Sequence, residues 1–194
     1  MGVKRIKKED AVLVIVDFQE KLLPAMKKSE ELEETIVRFA KGCRTLGLDI
    51  IVTEQYPKGL GRTTAAINEA LTAELFEGEI PKEEYVPVEK TVFSAMRDGV
   101  FAERLREIGK RTVLLCGIEA HICTQQLCMD LLEEGYNVFV IEDGISSRSK
   151  HNKKVACTRM TAAGAVLTTY EAALYEMLEG KDSLEFKKIS KIIK

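Results

Sequence analysis

Three residues of this chain combine useful chemistry with suggestive positions: Asp17, Lys90 and Cys123. Each lies just beyond an apolar, strand-like run. AVLVIV leads into Asp17, YVPVE into Lys90, and TVLLC leads through Gly117 towards Cys123. After Gly117 the pattern changes period: Ala120, Thr124, Leu127, Cys128 and Leu131 recur at spacings of three and four, which places them on one helix face. Cys123 therefore falls in the first turn of a helix, where unpaired N–H groups and the positive end of the helix dipole favour a thiolate. On this reading it is the one hyperreactive thiol of the five, ionised below the ordinary value of about 8.5, with a nearby Asp17 carboxylate pushing the other way. A carboxylate can take the thiol proton, a fixed ammonium can orient that carboxylate, and a thiolate can attack a carbonyl carbon. Each residue also has a plainer reading: cysteine as a small core hydrophobe, aspartate as a turn or cap residue, lysine as a solvated charge. Cys43, Cys116, Cys128 and Cys157 read as space-filling residues. What singles out the three is that one sheet could gather them at one edge.

The elements that would do so alternate along the chain. Strands are expected at Ala11–Val16, at LDIIVT to Thr53, at Tyr85–Glu89, at Thr112–Cys116, in YNVFVIED and in AVLTT. The first, apolar throughout, suits a strand buried on both faces of a parallel sheet. Pro87 assigns the third to an edge or an irregularity. Helices are expected from a Ser29 cap to Leu46, from Thr63 or Thr64 to Phe76, over Arg97–Ile108, from Cys123 to Gly135, over Ser149–Ala163 and over Glu171–Leu178. Strict alternation with short connections implies right-handed crossovers and a three-layer α/β fold, with helices on both sides of a six-stranded parallel sheet. The lysine-rich KDSLEFKKISKIIK tail carries Phe186, Ile189 and Ile193 on one face and reads as a docked C-terminal helix.

With 194 residues the chain suits one domain. Its net charge of −2, with interspersed signs, points away from nucleic acid and anionic membranes as partners. The five cysteines include no CxxC pair, and the apolar run before Asp17 is too short for a signal-peptide core or a spanning helix, so a reducing cytoplasmic setting is expected. A dinucleotide site would need GxGxxG after the first strand to let the backbone approach phosphates; Asp17-Phe18-Gln19-Glu20 stands there instead, and no P-loop occurs.

The blocks VIVDFQ, VEKTVFSA, LLCGIEAHICTQQ, LLEEGYNVFVIEDGISSRS and MTAAGAVLTTYEAALYEML together resemble the isochorismatase-like cysteine hydrolases, the superfamily of nicotinamidases, N-carbamoylsarcosine amidohydrolase and isochorismatase. The resemblance spans about residues 9 to 180. It implies a Rossmann-like sheet in the order 3-2-1-4-5-6 and a catalytic Asp17, Lys90 and Cys123. It also implies a cis peptide between Ile118 and Glu119, with the N–H groups of Glu119 and Cys123 forming an oxyanion hole. Homo-oligomers are common in the superfamily, and Ile122, Met129 and Leu132 would widen the apolar surface of the Cys123 helix beyond one face. The nicotinamidase branch binds a metal through an Asp-x-His pair after the second strand. This chain has Thr53-Glu54-Gln55-Tyr56-Pro57 there and only His121 and His151 as histidines, so neither a metal nor another cofactor is expected. Phe18, Gln19, Gln55, Tyr56, Phe93 and His121 are candidate pocket residues, and His151 is a surface residue. The expected reaction is cleavage of a small amide or ureido C–N bond through a thioester. The alternatives are an isochorismatase-type vinyl ether hydrolase, or a binding or redox-sensing protein on the same scaffold.

Overall fold

The computed structural model describes residues 2–76 and 85–194. β1 (Ala11–Val16) is buried along its whole length, and its alternate side chains enter two different cores. Leu13 and Ile15 pack on one side of the sheet, Val12, Val14 and Val16 on the other. This two-residue alternation explains why the run is apolar throughout rather than at every second position.

α1 (Ser29–Thr45) buries Leu32, Ile36, Phe39, Ala40 and Cys43. Ser29 is its first helical residue, not its cap; Lys28, with a left-handed backbone, occupies the cap position and pairs with Glu31. β2 (Asp49–Gln55) continues two residues beyond Thr53 and is followed by a short helix α2 (Pro57–Leu60) and by α3 (Ala65–Thr72). The expected run of α3 to Phe76 is cut short because Ala73 is extended. β3 (Val88–Lys90) includes Lys90 and begins after Pro87; of the expected Tyr85–Glu89 strand, Tyr85, Val86 and Pro87 lie outside it.

α4 (Gly99–Ile108) starts two residues later than expected, because the Asp98 carboxylate accepts from the Val100 and Phe101 N–H groups and fixes the first turn there. β4 (Thr112–Ile118) does not break at Gly117 but runs through it. A β-carbon at Gly117 would lie 2.5 Å from Val16 Cβ and 2.8 Å from Thr124 Oγ1, so the glycine permits close strand packing at this point. Beyond a π-helical turn at Ala120–Thr124 come α5 (Gln125–Glu133), β5 (Asn137–Ser146), α6 (Lys150–Ala162), β6 (Val166–Thr168), α7 (Tyr170–Leu178) and α8 (Phe186–Ile193).

All five pairings are parallel, in the order β3-β2-β1-β4-β5-β6. Residues of α1, α3, α7 and α8 share one core, and those of α4, α5 and α6 the other. β3 is an edge strand, as Pro87 suggested. The C-terminal helix docks as expected, with Ile189 fully buried and α8 lying against α1 and α7. It therefore covers the side of the sheet opposite α5. β1 sits where the strand order reverses, and in open α/β sheets the crevice beyond that point is the usual ligand site.

Candidate active site

Asp17 follows β1 at the reversal point, with a left-handed backbone (φ 59°), and its N–H donates to the Thr53 carbonyl at 3.1 Å. The Lys90 Nζ donates to Asp17 Oδ2 at 2.7 Å, and both side chains are completely enclosed. Lys90 is further held by Gln55 Oε1 at 2.8 Å and by the Val92 and Phe93 carbonyls at 3.4 Å each. The second Asp17 oxygen, Oδ1, accepts from the Thr53 hydroxyl at 2.7 Å. A buried carboxylate and ammonium are thus paired and surrounded by complementary groups, which is the condition for keeping charges in an interior.

Cys123 brings its thiol to this pair and interacts with both Asp17 and Lys90. It lies in the π-helical turn rather than in the first turn of a regular α-helix, and is only 5% exposed. Its thiol is not acidified. Burial first, and then the Asp17 charge, push it up to about 12 against the opposing pull of Lys90. The expected low-value thiolate is therefore corrected: dehydration and a neighbouring carboxylate outweigh the ammonium. The thiol is therefore protonated at rest beside the Asp17–Lys90 ion pair. Burial also raises the Cys43, Cys116 and Cys128 thiols, in keeping with their packing role; Cys157 is half-buried.

The Ile118–Glu119 peptide is cis. The Glu119 side chain is buried and is gripped by Arg148, whose backbone N–H and Nε donate at 3.0 and 3.1 Å. His121 Nδ1 lies 3.0 Å from Ser147 Oγ, and its Nε2 lies 3.3 Å from Asn152 Nδ2. These contacts tie the turn bearing Cys123 to the β5–α6 connection and the first turn of α6.

The candidate pocket residues divide. Phe18 is fully buried in the α1-side core. Gln19 is a buried brace: Nε2 donates to the Gln55 and Gly61 carbonyls at 3.0 and 2.6 Å, and Oε1 accepts from the Gln55 N–H at 2.8 Å. Both were placed near strand ends correctly, but their side chains turn inward. Gln55 reaches Lys90, with its Nε2 on the Thr91 carbonyl at 2.9 Å. Tyr56 and Phe93 are more than half exposed, and Tyr56 borders a cleft of about 340 Å³ with Pro57, Lys58, Lys90, Thr91 and Asp98. His151 is on the surface.

Thr53, Ser147, Arg148 and Asn152 escaped the sequence reading. For Thr53 the signal was available, because a strand alternates and Thr53 shares a side with Gln55. The intervening Glu54 points elsewhere and accepts from Thr63 and Arg62. Among the described residues, no group of three or more His, Cys, Asp and Glu side chains is placed to hold a metal. No helix among them is long and apolar enough to cross a membrane.

The six-stranded parallel sheet between two helical layers is the architecture of the isochorismatase α/β fold, and the isochorismatase domain matches over residues 11–172. The chain belongs to the isochorismatase family of hydrolases. It is 34% identical to isochorismatase domain-containing protein 2 of Danio rerio, covering 99% of this chain and 91% of that protein. Its fold resembles that of the MAR1 ribonuclease of Caenorhabditis elegans, with a TM-score of 0.86 and 38% identity over 98% of this chain and 92% of the other. The YcaC gene product of Escherichia coli, described as an octameric hydrolase of unknown specificity, shares the fold with a TM-score of 0.88 at 19% identity, covering 100% and 91% of the two chains.

Proposed function

We propose that the chain is a cysteine hydrolase that cleaves a C–N bond in a small amide or ureido substrate through a thioester. The observation that carries this is the enclosed Asp17–Lys90 pair at 2.7 Å with the Cys123 thiol directed at both. In the reaction, Cys123 Sγ attacks the substrate carbonyl carbon as its proton passes to Asp17. Coupling the two events suits a thiol that is protonated at rest. The N–H groups of Glu119 and Cys123 take up the negative charge developing on the carbonyl oxygen. Asp17 then gives its proton to the departing nitrogen, which leaves as an amine or ammonia. Water loses a proton to Asp17 and attacks the thioester carbon; the acid departs and Cys123 recovers its proton. Lys90 keeps Asp17 oriented and balances its charge. Gln55, Tyr56, Phe93 and His121 border or support the substrate space, and no metal or other cofactor enters this sequence of steps.

The enclosure of Asp17 and Lys90 favours a small molecule. The C. elegans relative is described as a ribonuclease, but a polynucleotide fits poorly here, because the reacting groups are buried and the chain is net negative. A second reading, a vinyl ether hydrolase, draws on the resting thiol, since that chemistry requires no thiolate. A screen of small amides and ureides for ammonia release, with Cys123→Ala as control, decides between them. The amide reading requires release by the native chain and its loss in the variant. Turnover of a vinyl ether that survives Cys123→Ala supports the second reading, and a reversibly oxidised Cys123 without any turnover supports a sensor.

We further propose a homo-oligomer in a reducing, cytoplasmic setting. All five cysteines are free, Val100 and Val155 are exposed on α4 and α6, and Ile122, Met129 and Leu132 are partly exposed on the α5 side. The E. coli relative is described as octameric. Sedimentation should give a mass that is a multiple of the chain's own; a monomer at all concentrations contradicts it.

A further inference from the structure

Asp17 must exist in two forms during the proposed reaction, first as an acceptor of the Cys123 proton and then as its donor. Its surroundings treat the two carboxylate oxygens differently. Oδ2 faces the Lys90 ammonium at 2.7 Å, and an ammonium has donors and no acceptor. A proton on Oδ2 would compete with those donors for the same oxygen, whereas a proton on Oδ1 leaves Oδ2 free to accept from Lys90. Oδ1 faces the Thr53 hydroxyl at 2.7 Å. A hydroxyl can donate or accept, and switches between the two by rotating about its C–O bond. Among the described residues Thr53 is the one hydroxyl bonded to Asp17, and it is fully buried. The backbone bond from the Asp17 N–H to the Thr53 carbonyl fixes the spacing between the two residues, so a change of hydrogen-bond direction needs no backbone movement.

We propose that Thr53 is a positioning residue that holds Asp17 in both protonation states. Its hydroxyl donates to Oδ1 while Asp17 is a carboxylate, and accepts from the Oδ1–H group once Asp17 holds the proton. The proton leaves Cys123 Sγ as the sulfur–carbon bond forms, rests on Oδ1 directed at the Thr53 hydroxyl, and turns about the Asp17 C–O bond to the departing nitrogen as the carbon–nitrogen bond breaks. The second half-cycle repeats this with a proton taken from water and returned to Cys123. Lys90 keeps its bond to Oδ2 throughout. Gln55, two residues along β2 on the same side, fixes the Lys90 end: its Nε2 is committed to the Thr91 carbonyl, which leaves Oε1 to face the ammonium.

This assignment rests on the cysteine-hydrolase reading, and the test separates the two. Thr53→Val keeps the shape and removes the hydroxyl, whereas Thr53→Ser keeps the hydroxyl. With an amide substrate from the ammonia-release screen, Thr53→Val should lower kcat by ten-fold or more with KM within about two-fold, because the hydroxyl touches Asp17 and not the substrate. Thr53→Ser should restore kcat to within about three-fold of the native value. Thr53→Ala removes the hydroxyl with less bulk, and its behaviour substitutes for that of the valine variant if valine disturbs the strand. A second arm needs no turnover: at pH 7, where little free thiolate forms, carboxamidomethylation of Cys123 by iodoacetamide also moves the thiol proton to Asp17, so Thr53→Val should slow it and Thr53→Ser should not. Native alkylation rates and kcat in Thr53→Val would overturn the proposal, as would a serine variant impaired as much as the valine one. If the native chain hydrolyses no amide, the functional reading falls while the alkylation arm still decides the role of Thr53.

Discussion

Cys123 starts as a neutral thiol, because dehydration and the Asp17 charge together outweigh Lys90. Its reactivity should therefore climb through alkaline pH. Iodoacetamide labelling of the native protein, followed by mass spectrometry, should be slow at pH 6 to 7 and still rising above pH 9; a plateau reached below pH 8 would contradict this. The three residues themselves were legible in the sequence, Asp17 and Lys90 as the residues that follow apolar runs and Cys123 at the start of a helical period, with superfamily motifs around all three. The charge state of Cys123 was not. It depends on how completely the folded chain excludes water and on the closeness of Asp17, neither of which is written in the residue pattern. The inward turn of Phe18 and Gln19 was hidden for a related reason: sequence places a residue beyond a strand but does not say which way its side chain turns.

At the scale of elements, Gly117 decides how β1 and β4 meet beside the site. An added β-carbon would press on Val16 Cβ at 2.5 Å and on the Val16 carbonyl at 3.1 Å, and backbone relaxes less readily than a long side chain. Gly117→Ala should cost about 1–3 kcal/mol of stability. It should also depress kcat, because Val16 precedes Asp17 and Thr124 follows Cys123. Urea denaturation and single-substrate kinetics measure the two effects; a variant matching the native protein in both would refute the close-packing role. Sequence read Gly117 as the end of β4, since glycine commonly punctuates strands, whereas here it allows the strand to continue. The alternation of strands and helices survived because hydrophobic period is a strong signal. Element ends moved by a few residues wherever local bonds set them, as the Asp98 carboxylate does for α4 and the extended Ala73 does for α3.

For the whole molecule, two cores on either side of one sheet enclose several thiols whose neutral forms are favoured by folding. Cys43, Cys116, Cys123 and Cys128 are all raised by burial. A group that loses its proton less readily when folded stabilises the fold below its unfolded value and ceases to do so as pH rises towards the folded value. Stability should therefore hold at neutral pH and decline from about pH 8.5 upward, by about 1.4 kcal/mol per pH unit for each thiol that stays protonated in the fold. Urea midpoints at pH 7, 9 and 10 test this, and midpoints that do not fall would contradict it. Whether Asp17, Lys90 and Cys123 form one hydrolytic unit is decided by intact-mass and peptide analysis of the protein quenched in acid during turnover of an active amide. An added acyl mass should appear on Cys123 and be absent in Cys123→Ala. In Asp17→Asn the thiol should remain in place while ammonia release is lost. Turnover with no adduct on Cys123, and undiminished in Cys123→Ala, would contradict it.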